Sequence, residues 1–123
     1  MKTHNIIEAT KNNNIDDVIE MVKNNVDVND NNGGDKTALH YAAQKGYLDI
    51  MKVLLENRAD VNRTTLEGDT PLHLACLIGG LKAVKLLLRY TPDTTIVNNQ
   101  GFKPLGILSV LEEESLKRDN FNL

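Results

Sequence analysis

The chain has 123 residues, 41% of them hydrophobic and 25% charged, which suffices for one domain with a modest core. Its net charge of -3, with the signs mixed along the chain, excludes the basic surplus or stripe of a general nucleic-acid binder. The single cysteine, Cys76, excludes an intrachain disulfide and points to a reducing compartment, the cytoplasm, with the nucleus open by diffusion. The opening "MKTHNIIEAT" lacks the apolar core of a secretory signal, and no stretch reaches the roughly 18 apolar residues of a membrane span.

In chain order, the first helical stretch lies in "HNIIEATK". The second carries Ile15, Val18, Ile19 and Val22 as one apolar stripe, with Asn14 as N-cap and Asp16 and Asp17 at its positive end. Thr37 or Lys36 then opens a helix through Lys45 that Gly46 stops. Leu48 to Asn57 follows, with Leu48, Ile50, Met51, Val53, Leu54 and Leu55 covering too much of the circumference for one-sided packing. "TPLHLACLIGG" and "LKAVKLLL" repeat the helix pair, and "KPLGILSVL" with "EEESLKRDNFNL" closes the chain. The run Glu112–Glu114 reads as a helix start, with Glu113–Lys117 and Glu114–Arg118 at i,i+4. The abundant asparagines fall where turns are expected.

These elements repeat. Thr37, Thr70 and Lys103 stand 33 residues apart, and the register holds without gaps through Ala9, Ala42 and Ala75 and through Asp27, Asp60 and Asp93. Such a period is the signature of a stacked array. Four units are expected, at approximately 1–32, 33–65, 66–98 and 99–123. In the first, Asp17 and Glu20 take the places of Ile50 and Val53, making its outer side polar as a terminal unit requires. In the fourth, Gly106 replaces the histidine and Glu112 the glycine stop. The reading is of two internal units between two polar caps.

"TALHYAA", "DTPLHLA", "GYLDIMKVLLENRADVN" and "GGLKAVKLLL" resemble ankyrin repeats over nearly the whole chain. The resemblance implies an all-α solenoid of four helix-turn-helix repeats, with hairpin-like loops projecting as fingers. It also implies a concave face of loop tips and first helices that binds another protein, without nucleic acid, membrane, cofactor or metal, in a monomer that is not an enzyme. Small four-repeat members also act as stand-alone inhibitors of kinases or regulators of actin capping protein. A host-directed effector is a further alternative. One departure is "NNGGDKT", where Asp35 stands in place of the family's loop glycine and Gly33 and Gly34 point to an unusual tip.

The resemblance gives His40 with Thr37 and His73 with Thr70 a structural role at the helix start. His73 and Cys76 share a helix face at i,i+3, but a zinc site needs three or four ligands and no third is evident. Cys76 aligns with Ala43 and reads as a buried, inert thiol. Ser109 and Ser115 lie in no nucleophile-elbow context, and Gly33–Gly34 and Gly79–Gly80 lack the setting of a phosphate loop. Asn29 and Asn62 resemble asparagines that an oxygen-dependent hydroxylase modifies in ankyrin proteins of animal cells, and are read as plain turn asparagines.

Leu77 and Ile78 fall where the family is usually polar, facing the concave groove; their equivalents are Gln44 and Lys45. With Leu66 and Phe102 at the fingertips they are expected to form one apolar strip, lined above by Tyr41 and Leu74 and flanked by Lys36, Lys45, Glu67 and Asp69. Such patches mark interaction sites. The competing expectation is that Val110 and Leu111 of the last unit fold over the strip.

Overall fold

The computed structural model of the protein describes residues 5–121, apart from the side chain of Leu111. His4 and the last two residues lie outside the described residues. Helices α1 (Ile6–Lys11), α2 (Ile15–Lys23), α3 (Ala38–Lys45), α4 (Leu48–Glu56), α5 (Pro71–Leu77) and α6 (Leu81–Leu88) are followed by a 3₁₀ turn (Pro104–Ile107) and α7 (Val110–Arg118).

Local chemistry sets the ends. Asn5 and Asn14 cap α1 and α2 by accepting the Glu8 and Asp17 backbone N–H groups at 2.7 and 3.2 Å. Gly46 ends α3 in the left-handed region at φ 72°, and Gly79 does the same just beyond α5 at φ 67°. The positive φ favours glycine there, and a Cβ on Gly79 would stand 3.1 Å from Glu112 Oε2 and press on that side chain.

The first helices α1, α3, α5 and the 3₁₀ turn touch in succession, and α2, α4, α6 and α7 form a second row behind them. The core runs through both rows, from Ile6 and Val18 through Leu39, Ile50, Met51 and Leu54 to Leu72, Leu87 and Leu116, all fully buried. Ile50 is buried and Val53 half-buried, while Asp17 and Glu20 at the equivalent places in α2 are half-buried and exposed, so α4 has a neighbour on each side and α2 turns a polar side outward. Small residues sit where first helices meet: Ala9, Thr10, Ala42, Ala43, Ala75 and Cys76 are buried.

The fingers between units share one construction. Asn32 Oδ1 accepts the backbone N–H groups of Gly34 and Lys36 at 3.0 and 3.2 Å. Thr65 Oγ1 does so for Glu67 and Asp69 at 3.3 Å each. Asn98 Oδ1 takes those of Gln100 and Phe102 at 3.0 and 2.9 Å. Main-chain bonds cross each finger from Asn32 to Lys36, Thr65 to Asp69 and Asn98 to Phe102 at 2.9–3.0 Å. Leu66 N–H donates to Gly34 O at 3.1 Å and Asn99 N–H to Glu67 O at 2.9 Å, joining finger to finger. The tip at 33–34 is not unusual, contrary to the sequence expectation. Asp35 itself adopts φ 58°, the conformation that Gly68 and Gly101 hold at φ 80° and 86° in the next two fingers.

Behind the fingers, Asn29 Oδ1 accepts the Asp60 N–H at 2.6 Å while its Nδ2 donates to Arg58 O at 3.1 Å. Asn62 Oδ1 accepts the Asp93 N–H at 2.8 Å. These asparagines are therefore bridges between units, and not plain turn residues.

The fourth unit differs from the sequence expectation. Its first helix is a 3₁₀ turn, and its second begins at Val110, ahead of the acidic run. Ser109 makes a capping box: its Oγ accepts Glu112 N–H at 3.2 Å and Glu112 Oε1 accepts Ser109 N–H at 3.3 Å. Asp119 at the end of α7 pairs with Lys85 of α6, which draws the Asp119 carboxyl below its ordinary range.

Candidate protein-binding face

Each internal unit anchors its first helix with a Thr–His pair. Thr37 N–H donates to His40 Nδ1 at 3.0 Å, and Thr70 N–H to His73 Nδ1 at 3.0 Å. Nδ1 is therefore the unprotonated nitrogen, and Nε2 carries the hydrogen. His40 Nε2 donates to Arg63 O at 2.8 Å and lies 3.1 Å from Asp69 O; His73 Nε2 donates to Phe102 O at 2.8 Å. Both rings are fully buried. Burial holds His40 below the ordinary histidine range, against the pull of the two carbonyls and with lesser help from Lys36 and Arg63. Thr37, His40, Thr70 and His73 thus tie helix start to following finger, and His73 has no nitrogen left for a metal.

Cys76 is 3% exposed. Burial first, and the Glu112 charge second, push its thiol up to about 12. A thiol so far from thiolate at neutral pH is no nucleophile.

Among the described residues, four of the exposed large apolar side chains lie on the first-helix and finger side of the third and fourth units, and Val26, Tyr90, Val97 and Val110 are exposed elsewhere. Leu77 is 64% exposed, Leu66 61%, Ile78 50% and Phe102 49%. Val110 does not cover them, since it is itself 71% exposed; the side chain of Leu111 lies outside the described residues. Leu77 and Phe102 line one cavity of about 240 Å³ together with Ile107, Gly106, Gln100, Asn98, Asp69 and the edge of His73. Leu66 and Ile78 stand outside that lining; a Cβ at Gly80 would lie 3.6 Å from Ile78 Cδ1, so Ile78 leans over the Gly79–Gly80 turn. Leu74, expected on the same face, is instead buried at 5%. Ile107, 33 residues after Leu74, is the apolar wall that sequence reasoning missed.

Opposite this end of the face, Tyr41 is half-buried and holds two ammoniums against its ring. Lys36 Nζ is 4.9 Å and Lys11 Nζ 5.3 Å from the ring centre. Asn32 Nδ2 donates to the Tyr41 hydroxyl at 2.6 Å, and Lys36 Nζ to Gln44 Oε1 at 3.3 Å. Lys45 is exposed at the end of α3. Glu67 is exposed at the third unit's fingertip, and Asp69 Oδ1 accepts Asn98 Nδ2 at 2.9 Å.

The family model for ankyrin repeats in many copies matches residues 21–75, and the model for the single ankyrin repeat matches residues 67–99. A comparison with curated proteins found no match. Among the described residues, no helix is long and apolar enough to cross a membrane.

Proposed function

The chain belongs to the ankyrin repeat family, whose repeats generally mediate protein–protein interaction, and from that premise we propose that it is a non-enzymatic module that binds a partner protein through its first helices and fingertips. The observation that carries this reading is the solvent-exposed group Leu77, Ile78 and Phe102 beside a cavity, at positions where the second unit bears Gln44 and Lys45 and the preceding finger bears Asp69. Burying two aliphatic side chains and part of a phenylalanine contributes about 3–6 kcal/mol before the costs of association. That dominates a micromolar complex without sustaining one alone.

The test is affinity capture from lysate with the intact chain and with the double variant Leu77→Gln, Ile78→Lys, which copies the second unit. Both should show the same circular dichroism and melting. The wild-type chain should retain a partner that the folded variant loses. A partner held equally by both would move the binding surface elsewhere, and a variant that unfolds would assign Leu77 and Ile78 to the core.

A further inference from the structure

Residues that share a register position line up across neighbouring units, one helix spacing apart. Along the row nearest the end of each first helix the side chains are Lys11, Gln44 and Leu77; along the next they are Asn12, Lys45 and Ile78; and along the fingers they are Lys36, Asp69 and Phe102. The two helix rows are polar or basic in the first two units and end exposed and apolar in the third, while the finger row runs from basic Lys36 through acidic Asp69 to exposed Phe102. The face therefore has two ends of different chemistry.

At the first end, the Lys11 and Lys36 ammoniums converge on the Tyr41 ring and Lys45 stands exposed nearby. Glu8 and Asp30 line a cavity of about 560 Å³ together with Lys11, so this end is mixed in sign. At the other end, Asp69 lines the cavity of the apolar group and Glu67 is exposed on the adjoining fingertip, while Lys103, exposed next to Phe102, lines a separate cavity with Glu113.

We propose that the face takes an amphipathic protein segment in one direction only, its carboxylates meeting Lys11, Lys36 and Lys45 and its apolar side chains meeting Leu77, Phe102 and Ile107. The inference rests on the binding-module reading and adds the partner's chemistry and polarity to it. Charge complementarity selects the occupant. A segment bound in reverse would set its carboxylates against Glu67 and Asp69 and leave the ammoniums facing apolar side chains. Helices pack about 8–10 Å apart, so two steps from Lys11 to Leu77 span about 16–20 Å. At about 3.3 Å per residue that is five or six residues of extended chain between the acidic and apolar parts.

A displayed library of random 16-residue peptides, selected against the intact chain, tests this. The enriched peptides should carry Asp or Glu and a cluster of Leu, Ile, Phe or Met in one constant order. For a synthetic copy of one such peptide, the double variant Lys11→Glu, Lys36→Glu should weaken binding at least about tenfold, and replacing the peptide's carboxylates by Lys should restore part of it. Leu77→Gln should weaken the same peptide. Peptides that depend on Leu77 but change less than about twofold with the charge reversal overturn the directional inference and leave the module reading standing. Peptides indifferent to Leu77 and to both lysines overturn both. A selection that enriches both orders equally, or enriches nothing, overturns the directional inference.

Discussion

Units two and three differ from unit four at two matching positions: Thr37 and Thr70 give way to Lys103, and His40 and His73 give way to Gly106. In the internal units the hydroxyl and imidazole close around the helix start, and the ring goes on to hold the next finger by its carbonyls. Lys103 and Gly106 can do neither. A glycine also disfavours an α-helix by about 1 kcal/mol relative to alanine. Ser109, three residues on, sits at φ -70° and ψ 163° to cap α7, which ends whatever precedes it. What remains between Lys103 and Leu108 is a single 3₁₀ turn. The comparison teaches that a polar group at its start helps keep the first helix of a unit α-helical: the Thr–His clamp in the internal units and the Asn5 cap in the first. Gly106, with no side chain, forms one wall of the cavity beside Ile107.

The comparison breaks most severely if the fourth unit is removed. Deleting residues 103–123 takes away Leu108 and Leu116, both buried, and uncovers the side of α5 and α6 they pack against. The truncated chain should aggregate and melt without a cooperative transition; a monomer with unchanged melting would show that the fourth unit covers nothing essential. Next in size, His73→Ala leaves the Thr70 N–H and the Phe102 carbonyl without their partner and should lower stability by about 1–3 kcal/mol in urea titration. Partner binding by the folded variant should survive. The clamp also carries a pH dependence. His40 is held neutral with its titration below the unfolded value of about 6.5, so the unfolded chain takes up the proton first as pH falls. Stability is complete above that value and declines as pH drops through it toward the lower folded value. Urea midpoints should fall between pH 7.5 and pH 5, and His40→Gln should remove part of the fall; parallel declines in the two proteins would locate the titration elsewhere.

Smaller effects sharpen the comparison. Ser109→Ala removes the cap of α7 and should cost about 1 kcal/mol, with no change at the fingers. Normal stability in this variant would mean that Glu112 alone starts the helix. Smallest, Asp35→Gly relieves the left-handed backbone at φ 58° and should raise the urea midpoint by the equivalent of about 0.5 kcal/mol. A lower midpoint would show that the Asp35 side chain stabilises its finger.

The helix pairs, their stops at glycine, the buried Cys76 and the Thr–His clamps were legible because each is repeated in register, and repetition separates signal from accident. The family match over residues 21–75 and 67–99 agrees with that reading. The fourth unit was less legible because it was read against its neighbours. Its own signal, Ser109-Val110-Leu111-Glu112, is a capping-box pattern and was visible in the sequence. The fingers hid a second regularity, Asn32, Thr65 and Asn98 at matching positions, behind a general excess of asparagine. Of the expected apolar strip, the exposure of Leu66, Leu77, Ile78 and Phe102 was legible from departure from the repeat. The burial of Leu74 and the direction of Ile78 were not, because they depend on side-chain placement that spacing alone does not give.

Asn29 and Asn62 each grasp backbone 31 residues ahead, and the histidines reach as far as 29. Losing one residue between Asn29 and Asp60 puts every grip that spans the gap out of register. Losing or duplicating a whole 33-residue block leaves each amide and imidazole facing a chemically equivalent partner. The length of this molecule is therefore quantised. Its ancestry can have grown or shrunk by entire steps far more readily than by single residues, and an engineer who wishes to lengthen it should copy residues 37–69 as one piece.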